Sequence, residues 1–157
     1  LGIIYGDDRG NFNPENTITR AEAAAVVVRL TGLNANISGS QNTNYIDVPS
    51  SHWASGDIAT ATSMGIVVGY GNGYYGPEDP VKYEEIVTMI IRAMGYDPMV
   101  ETKGSAWPGN YLAVANTIGV NSNVGGSVGR EAPRKVVASL LYSALKEKKQ
   151  AESLCHV

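Results

Sequence analysis

Apolar residues recur along this chain at helical spacing, in short stretches separated by polar loops rich in glycine. Ala54, Ile58, Ala61 and Met64 fall three or four positions apart, which places them on one face of a helix. Ser50 and Ser51 offer an N-cap after Pro49, and Gly65 suits a left-handed C-cap. A second helix is predicted from about Tyr83 to Met94, with Ile86, Met89, Ile90, Ala93 and Met94 inward. Between them lie glycines at 69, 71, 73 and 76, a loop built for positive φ and close backbone approach. Ala21 to Leu30, Tyr111 to Ile118 and Val137 to about Leu145 carry the same helical signature. No pair of alternating segments makes a convincing hairpin, although short bridges between loops fit the pattern. The expected class is therefore all-α.

The pattern repeats. The displacement that carries Pro14 onto Pro77 also carries Gly2, Gly6, Gly10, Arg29 and Gly32 onto Gly65, Gly69, Gly73, Arg92 and Gly95 without a gap. A third, worn copy follows. Gly119-Val120 matches Gly65-Ile66, and Arg134 with its apolar run matches Arg20 and its helix. The loop between has lost three residues, and with them the proline and the aromatic. Repeats of this length are supersecondary units that bury a core together. Repeat one begins inside its own loop, without the leading helix its sisters have. An apolar face is expected to be left uncovered there, for a second chain or an N-terminal segment to complete. The abrupt start at Leu1-Gly2-Ile3 suits a piece of a longer protein.

Charge is sparse, at 17% of residues with a formal net charge of −3. A nucleic-acid partner demands a basic surface that this balance does not supply. No apolar stretch approaches the roughly 18 residues of a membrane span, so no membrane insertion is expected. Cys155 is the only cysteine, which excludes an intrachain disulfide and a cysteine metal site.

Few residues carry chemistry. Thr19-Arg20-Ala21-Glu22 reads as a capping box, Thr19 and Glu22 satisfying each other's amides. Arg20 then stands at the first helical position, beside amides without helical partners. Such an end holds a carboxylate or phosphate well, although a solvated surface arginine fits the same place. Trp53 and Trp107 open leading helices, either as core anchors or as indole faces for a sugar ring. Nine tyrosines against one phenylalanine suit polar-tipped contacts. Rival chemistries fail. With Gly10 at the glycine position of a calcium loop, Tyr5, Arg9 and Asn16 stand where ligands belong. His52 and His156 lie in unrelated contexts, and the adjacent Glu84 and Glu85 cannot share a helix face. No catalytic constellation, metal or cofactor is expected.

The ordered set Ile46-Asp47-Val48, His52-Trp53-Ala54, Gly65-Ile66, Gly69, Gly73 and Pro77, with Ile18-Thr19-Arg20-Ala21-Glu22, resembles the S-layer homology repeat. The likeness runs through three consecutive copies from Gly2 to about Leu145. It implies three helix-loop-helix repeats in a pseudo-threefold arrangement around a central helix bundle. The expected division is one domain over residues 1–150, with repeat one at 1–33, a polar linker at 34–44, repeat two at 45–98 and repeat three at 104–146; a polar tail occupies 147–157.

The resemblance also implies a secreted, non-catalytic module of the bacterial cell surface. Its grooves between repeats would bind secondary cell wall polysaccharide, commonly through a pyruvylated sugar. The competing reading is a protein–protein surface-assembly module with vestigial glycan grooves. The family's binding positions fall on Arg20 with Thr19 in repeat one, Tyr83 with Glu85 in repeat two, and Arg134 in repeat three, where Val136 replaces the glutamate. The motif aspartate is Asp47, the motif tryptophan Trp53, and Trp107 its looser match. Gly6 and Asp7, and Gly69 with Gly71, are the loop positions. The groove led by Arg20 is the strongest expectation, with Asp47 and Trp53 as its far wall. Arg20 and free helix amides would hold a carboxylate, and Trp53 would cover a sugar face.

Overall fold

The helix Arg20–Leu30 (α1) buries nine of its eleven residues, so it lies inside the molecule rather than on a face of it. Four of the nine are alanines, whose small side chains let neighbouring helices approach closely. α2 (Ser55–Ser63) and α3 (Tyr83–Ala93) belong to repeat two; α4 (Gly109–Thr117) and α5 (Arg134–Cys155) belong to repeat three. The computed structural model describes residues 9–32, 42–96 and 106–155. Among these, β structure is confined to three isolated bridges, and the all-α expectation holds.

The short helices pack on the long ones, α2 on α1 and α4 on α3, while α1 and α5 both pack on α3. Apolar residues from all five helices form one core. The start of each long helix docks on the loop of the following repeat. The amides of Arg20 and Ala21 donate to the carbonyls of Asp79 and Pro77 at 2.8 and 2.9 Å. The Tyr83 amide donates to Arg130 at 2.9 Å. Those of Arg134 and Lys135 donate back to Asn16 and Pro14 at 2.7 and 3.0 Å. The bridges Thr19–Pro80, Lys82–Glu131 and Thr17–Pro133 follow the same order. Repeat one thus leans on two, two on three and three on one, a closed ring with pseudo-threefold symmetry.

Several helix limits differ from the sequence reading. α2 starts at Ser55 rather than after Ser50 or Ser51. Residues 49–54 fold into turns instead, with the His52 amide bonded to Pro49 and the Ser55 amide to His52. His52 Nδ1 accepts from the Ala54 amide at 3.1 Å, so a histidine satisfies an amide just ahead of the helix. α5 continues to Cys155 instead of ending near Leu145. No glycine or proline interrupts it, and its lysines, glutamates and alanines are strong helix formers. Lys148 anchors the extension by donating to the carbonyl of Leu30 at 3.3 Å.

The long helices of repeats one and two bury positions that α5 exposes. Ala21, Ala25 and Val28 of α1, and Glu84, Thr88 and Ile91 of α3, are buried. Counted from Arg134, the matching positions of α5 are Lys135, Ser139 and Tyr142, all exposed, Tyr142 at 72%. They are polar or polar-tipped, so exposure there costs little.

Candidate functional site

The junction between repeats one and two gathers a cluster of charge and aromatic rings. α1 projects Arg20 from its first turn into the loop of repeat two. The side chain is 5% exposed, so neither a solvated arginine nor an open anion site describes it. Its Nε donates to the Tyr75 carbonyl at 2.9 Å, Nη2 to the Val68 carbonyl at 3.0 Å and Nη1 to Glu85 Oε1 at 3.3 Å. The Tyr70 and Tyr75 rings lie 4.8 and 4.7 Å from the guanidinium carbon, within cation–π range. The Tyr75 hydroxyl returns a bond to the Arg20 carbonyl at 3.0 Å.

The helix amides expected to be free are engaged. Thr19 and Glu22 close the capping box, with Glu22 N to Thr19 Oγ1 at 3.1 Å and Thr19 N to Glu22 Oε1 at 3.4 Å. The next two amides take the loop carbonyls described above. Docking between repeats has used the donors that an isolated helix would present to a ligand.

Two phenols respond to this setting. Partial desolvation and the 2.6 Å hydrogen bond it donates to Asp79 push the Tyr70 hydroxyl up to about 12. Burial raises that of Tyr75 further, against the opposing effect of Arg20. Both remain protonated donors at neutral pH.

Beside this cluster opens a groove of about 320 Å³. One wall is the segment from Ile66 to Tyr70; the other is α3 with Glu85, Thr88, Met89 and Arg92; Arg20 and Trp107 complete it. The four α3 residues fall at i, i+3, i+4 and i+7 and so share one face. Trp107 stands at the approach to α4, where its Nε1 donates to Thr88 Oγ1 at 3.0 Å and 53% of its surface is exposed. Arg92 donates from Nε to the Tyr111 hydroxyl at 2.8 Å and from Nη1 to the Ile66 carbonyl at 3.4 Å.

Arg20, Gly69, Glu85 and Trp107 are thus brought together as groove-lining residues. Gly69 is needed for close approach, since a Cβ there would lie 2.5 Å from the Tyr45 ring and 2.7 Å from the Tyr74 carbonyl oxygen. The other expected positions lie elsewhere. Asp47 is a loop clamp, its two oxygens accepting from the amides of Tyr75 and Gly76 at 2.9 and 2.8 Å. Trp53 is exposed rather than a core anchor, and it stacks on His52 at 5.9 Å outside the groove. The far wall therefore comes from Trp107, not from Asp47 and Trp53. Gly71 forms a turn at positive φ. Tyr83 is buried against the third loop, where a Cβ on Gly126 would meet its ring at 2.4 Å. Arg134 donates to the Phe12 carbonyl at 2.9 Å and to Glu22 Oε2 at 3.2 Å. Gly6 and Asp7 lie outside the described residues. Val68, Tyr70, Thr88, Met89 and Arg92 were missed, although the helical stripe from Glu85 to Arg92 was a usable signal.

A model of the S-layer homology domain matches residues 1–24 and 44–87. A surface layer protein of Brevibacillus choshinensis is 36% identical over 125 residues, 79% of this chain and 11% of its own length. A cellulosome-anchoring protein of Acetivibrio thermocellus is 36% identical over 91 residues, 57% of this chain and 20% of that protein. An endoglucanase of a Bacillus species is 30% identical over 94 residues, 60% of this chain and 10% of that protein. The chain thus spans only a tenth to a fifth of the length of these relatives.

Proposed function

The chain belongs to the S-layer homology domain family, and on that premise we propose that it is a non-catalytic module anchoring a secreted protein to the bacterial cell wall. Its ligand is secondary cell wall polysaccharide, taken in the groove between Arg20, α3 and Trp107, with a pyruvylated sugar as the recognised unit. The observation that carries the reading is the groove itself. It joins an exposed indole with two guanidiniums and a carboxylate. A tryptophan whose edge is already hydrogen-bonded and whose face is open can stack on a pyranose. The diversity of the relatives supports the same reading, since a surface-layer protein, an anchoring protein and an endoglucanase share this segment rather than one activity.

Co-sedimentation with purified sacculi, before and after hydrogen fluoride strips the wall polysaccharide, tests it. Binding is expected to disappear on stripping, and Trp107→Ala should weaken it at least about fivefold. Because Trp107 is half exposed, that variant should stay folded. Binding that survives stripping, or none to intact sacculi, would sink the reading and favour surface assembly through protein contacts.

A further inference from the structure

Asn72 and Gly73 form the one Asn-Gly pair of the chain, and both lie exposed in a bend of the repeat-two loop. We propose that Asn72 is a site of spontaneous deamidation, with water as the only co-reactant. The Gly73 amide nitrogen attacks Asn72 Cγ, and the new C–N bond closes a cyclic succinimide. The bond from Cγ to the side-chain nitrogen breaks, and that nitrogen leaves as ammonia with the proton given up by Gly73. Water then adds to either ring carbonyl, and the ring C–N bond on that side opens. Attack at Cγ gives aspartate. Attack at the main-chain carbonyl gives isoaspartate, in which the chain runs through Cγ. No group is oxidised or reduced.

The local geometry favours the attack. Among the described residues nothing accepts from the Gly73 amide, so no hydrogen bond holds the nucleophile back. Gly73 has no Cβ to shield that nitrogen, and Gly71 and Gly73, at φ of +85° and +86°, leave the backbone steric room to approach the side chain. The Tyr74 amide donates to Asn72 Oδ1 at 3.2 Å. That donor draws electron density from Cγ and sits where the oxygen gains charge in the tetrahedral intermediate. Other asparagines lack this combination. Asn110 is buried, and its Oδ1 accepts at 3.0 Å from the Tyr111 amide, the group that would have to attack. The Ser122 amide, which follows Asn121, donates to the Gly119 carbonyl at 3.3 Å. Asn13 precedes a proline, which has no amide proton.

The product alters the loop where it supports the groove. The Gly73 carbonyl accepts from the Ile46 amide at 2.8 Å, and the Tyr74 carbonyl accepts from the Tyr70 amide at 2.8 Å. Gly69 and Tyr70 line the groove. Isoaspartate inserts Cβ into the main chain just before Gly73 and leaves a new carboxylate on Cα, so both hydrogen bonds lose their register. Wall binding should therefore decline as the protein ages. That consequence rests on the groove reading above; the modification itself does not.

The test holds the chain in warm, mildly alkaline buffer, with and without guanidinium chloride. Peptide mapping by mass spectrometry, ammonia release and labelling by an isoaspartyl methyltransferase follow the reaction. Asn72 should turn acidic before every other asparagine, with an equivalent of ammonia released and isoaspartate as the larger product. Conversion in the native chain should match or exceed that in denaturant. Asn72→Gln should block it, because the longer side chain must close a larger ring. Aged wild type should lose binding to sacculi in proportion to its isoaspartate content, while aged Asn72→Gln keeps it. The site is overturned if Asn72 remains an amide while other asparagines convert, or if folding protects it relative to the denatured chain. The consequence for the groove is overturned if aged Asn72→Gln loses binding as fast as the wild type. Fresh wild type that binds no sacculi would remove the groove reading, and peptide mapping alone would still decide Asn72.

Discussion

The junction between repeats one and two and the junction between repeats two and three share a backbone plan but differ in charge. In the first, Arg20 enters the next repeat's loop and meets Glu85. In the second, the matching first-turn residue is Tyr83, and the position matching Glu85 is Val136. The junction that closes the ring keeps both charges, with Arg134 meeting Glu22 at 3.2 Å. At these matched positions, cation and carboxylate are therefore absent together from one junction and present together in the other two. A buried charge whose partner is removed costs several kcal/mol, whereas replacing both members with well-packed neutral residues is often tolerated. What reads in sequence as the decay of two separate motifs is, in the fold, one coupled replacement.

Arg20→Ala should break the charged junction most severely. It strips a nearly buried arginine from Glu85 and from two loop carbonyls, at a cost of about 3 kcal/mol or more. Urea denaturation would measure this, with Tyr83→Phe expected to cost far less. A loss of wall binding in Arg20→Ala would thus report unfolding unless the variant's melt is measured beside it. Equal stabilities for the two variants would refute the contrast.

Gly69→Ala comes next. The added methyl must displace the Tyr45 ring or the Tyr74 carbonyl, and overpacking of this kind costs about 1–3 kcal/mol. The same shift would narrow the groove at its backbone wall. Gly71→Ala meets nothing within 4 Å and carries only the strain of its positive φ, +85°, so it should cost less. A reversed order would mean that the loop yields at Gly69 more easily than the contacts indicate.

Transplanting the charge pair sharpens the comparison further. Tyr83→Arg alone should destabilise this junction, since Val136 stands at the position matching Glu85 and offers no carboxylate. Adding Val136→Glu should recover part of the loss, with a coupling energy of about 0.5–3 kcal/mol in a double-mutant cycle. Strict additivity would show that the two positions do not meet as Arg20 and Glu85 do.

Much of this plan was legible in the chain. Helical spacing placed α1, α3 and α4, and the shared displacement of the glycines and prolines identified the repeats. The capping box at Thr19 and Glu22 was read correctly because both partners lie within one helical turn. What was not legible depends on contacts across repeats. Nothing local to Arg20 shows that Val68, Tyr75 and Glu85 occupy its guanidinium, or that Asp79 and Pro77 take the adjacent amides. Asp47 and Trp53 were placed in the groove by resemblance alone; the fold uses one to clamp a loop and leaves the other outside. Arg92 was visible only as a repeat landmark, because Tyr111, which it bonds, and Trp107, which lines the same groove, come near it only through tertiary packing.

The smallest effect expected is on pH dependence, and it too belongs to the charged junction. Tyr70 ionises at about 12 in the fold, against about 10 for an unperturbed phenol, and Tyr75 is shifted in the same direction. A raised value means that the folded state retains the proton longer than the unfolded chain does. Below pH 10 both states are protonated and the contribution is constant. Above it the unfolded chain loses protons first, so the native state binds more and stability falls as pH rises. For Tyr70 the loss should run from about pH 10 to about 12. Denaturation followed across that window should show the decline in the wild type, and Tyr70→Phe should flatten part of it. Tyr70 is half exposed, so solvent screening keeps its share small. The larger remainder should depend on Tyr75, whose hydroxyl bonds to the carbonyl of Arg20. A decline that Tyr75→Phe leaves unchanged would place the titrating group outside the Arg20 junction.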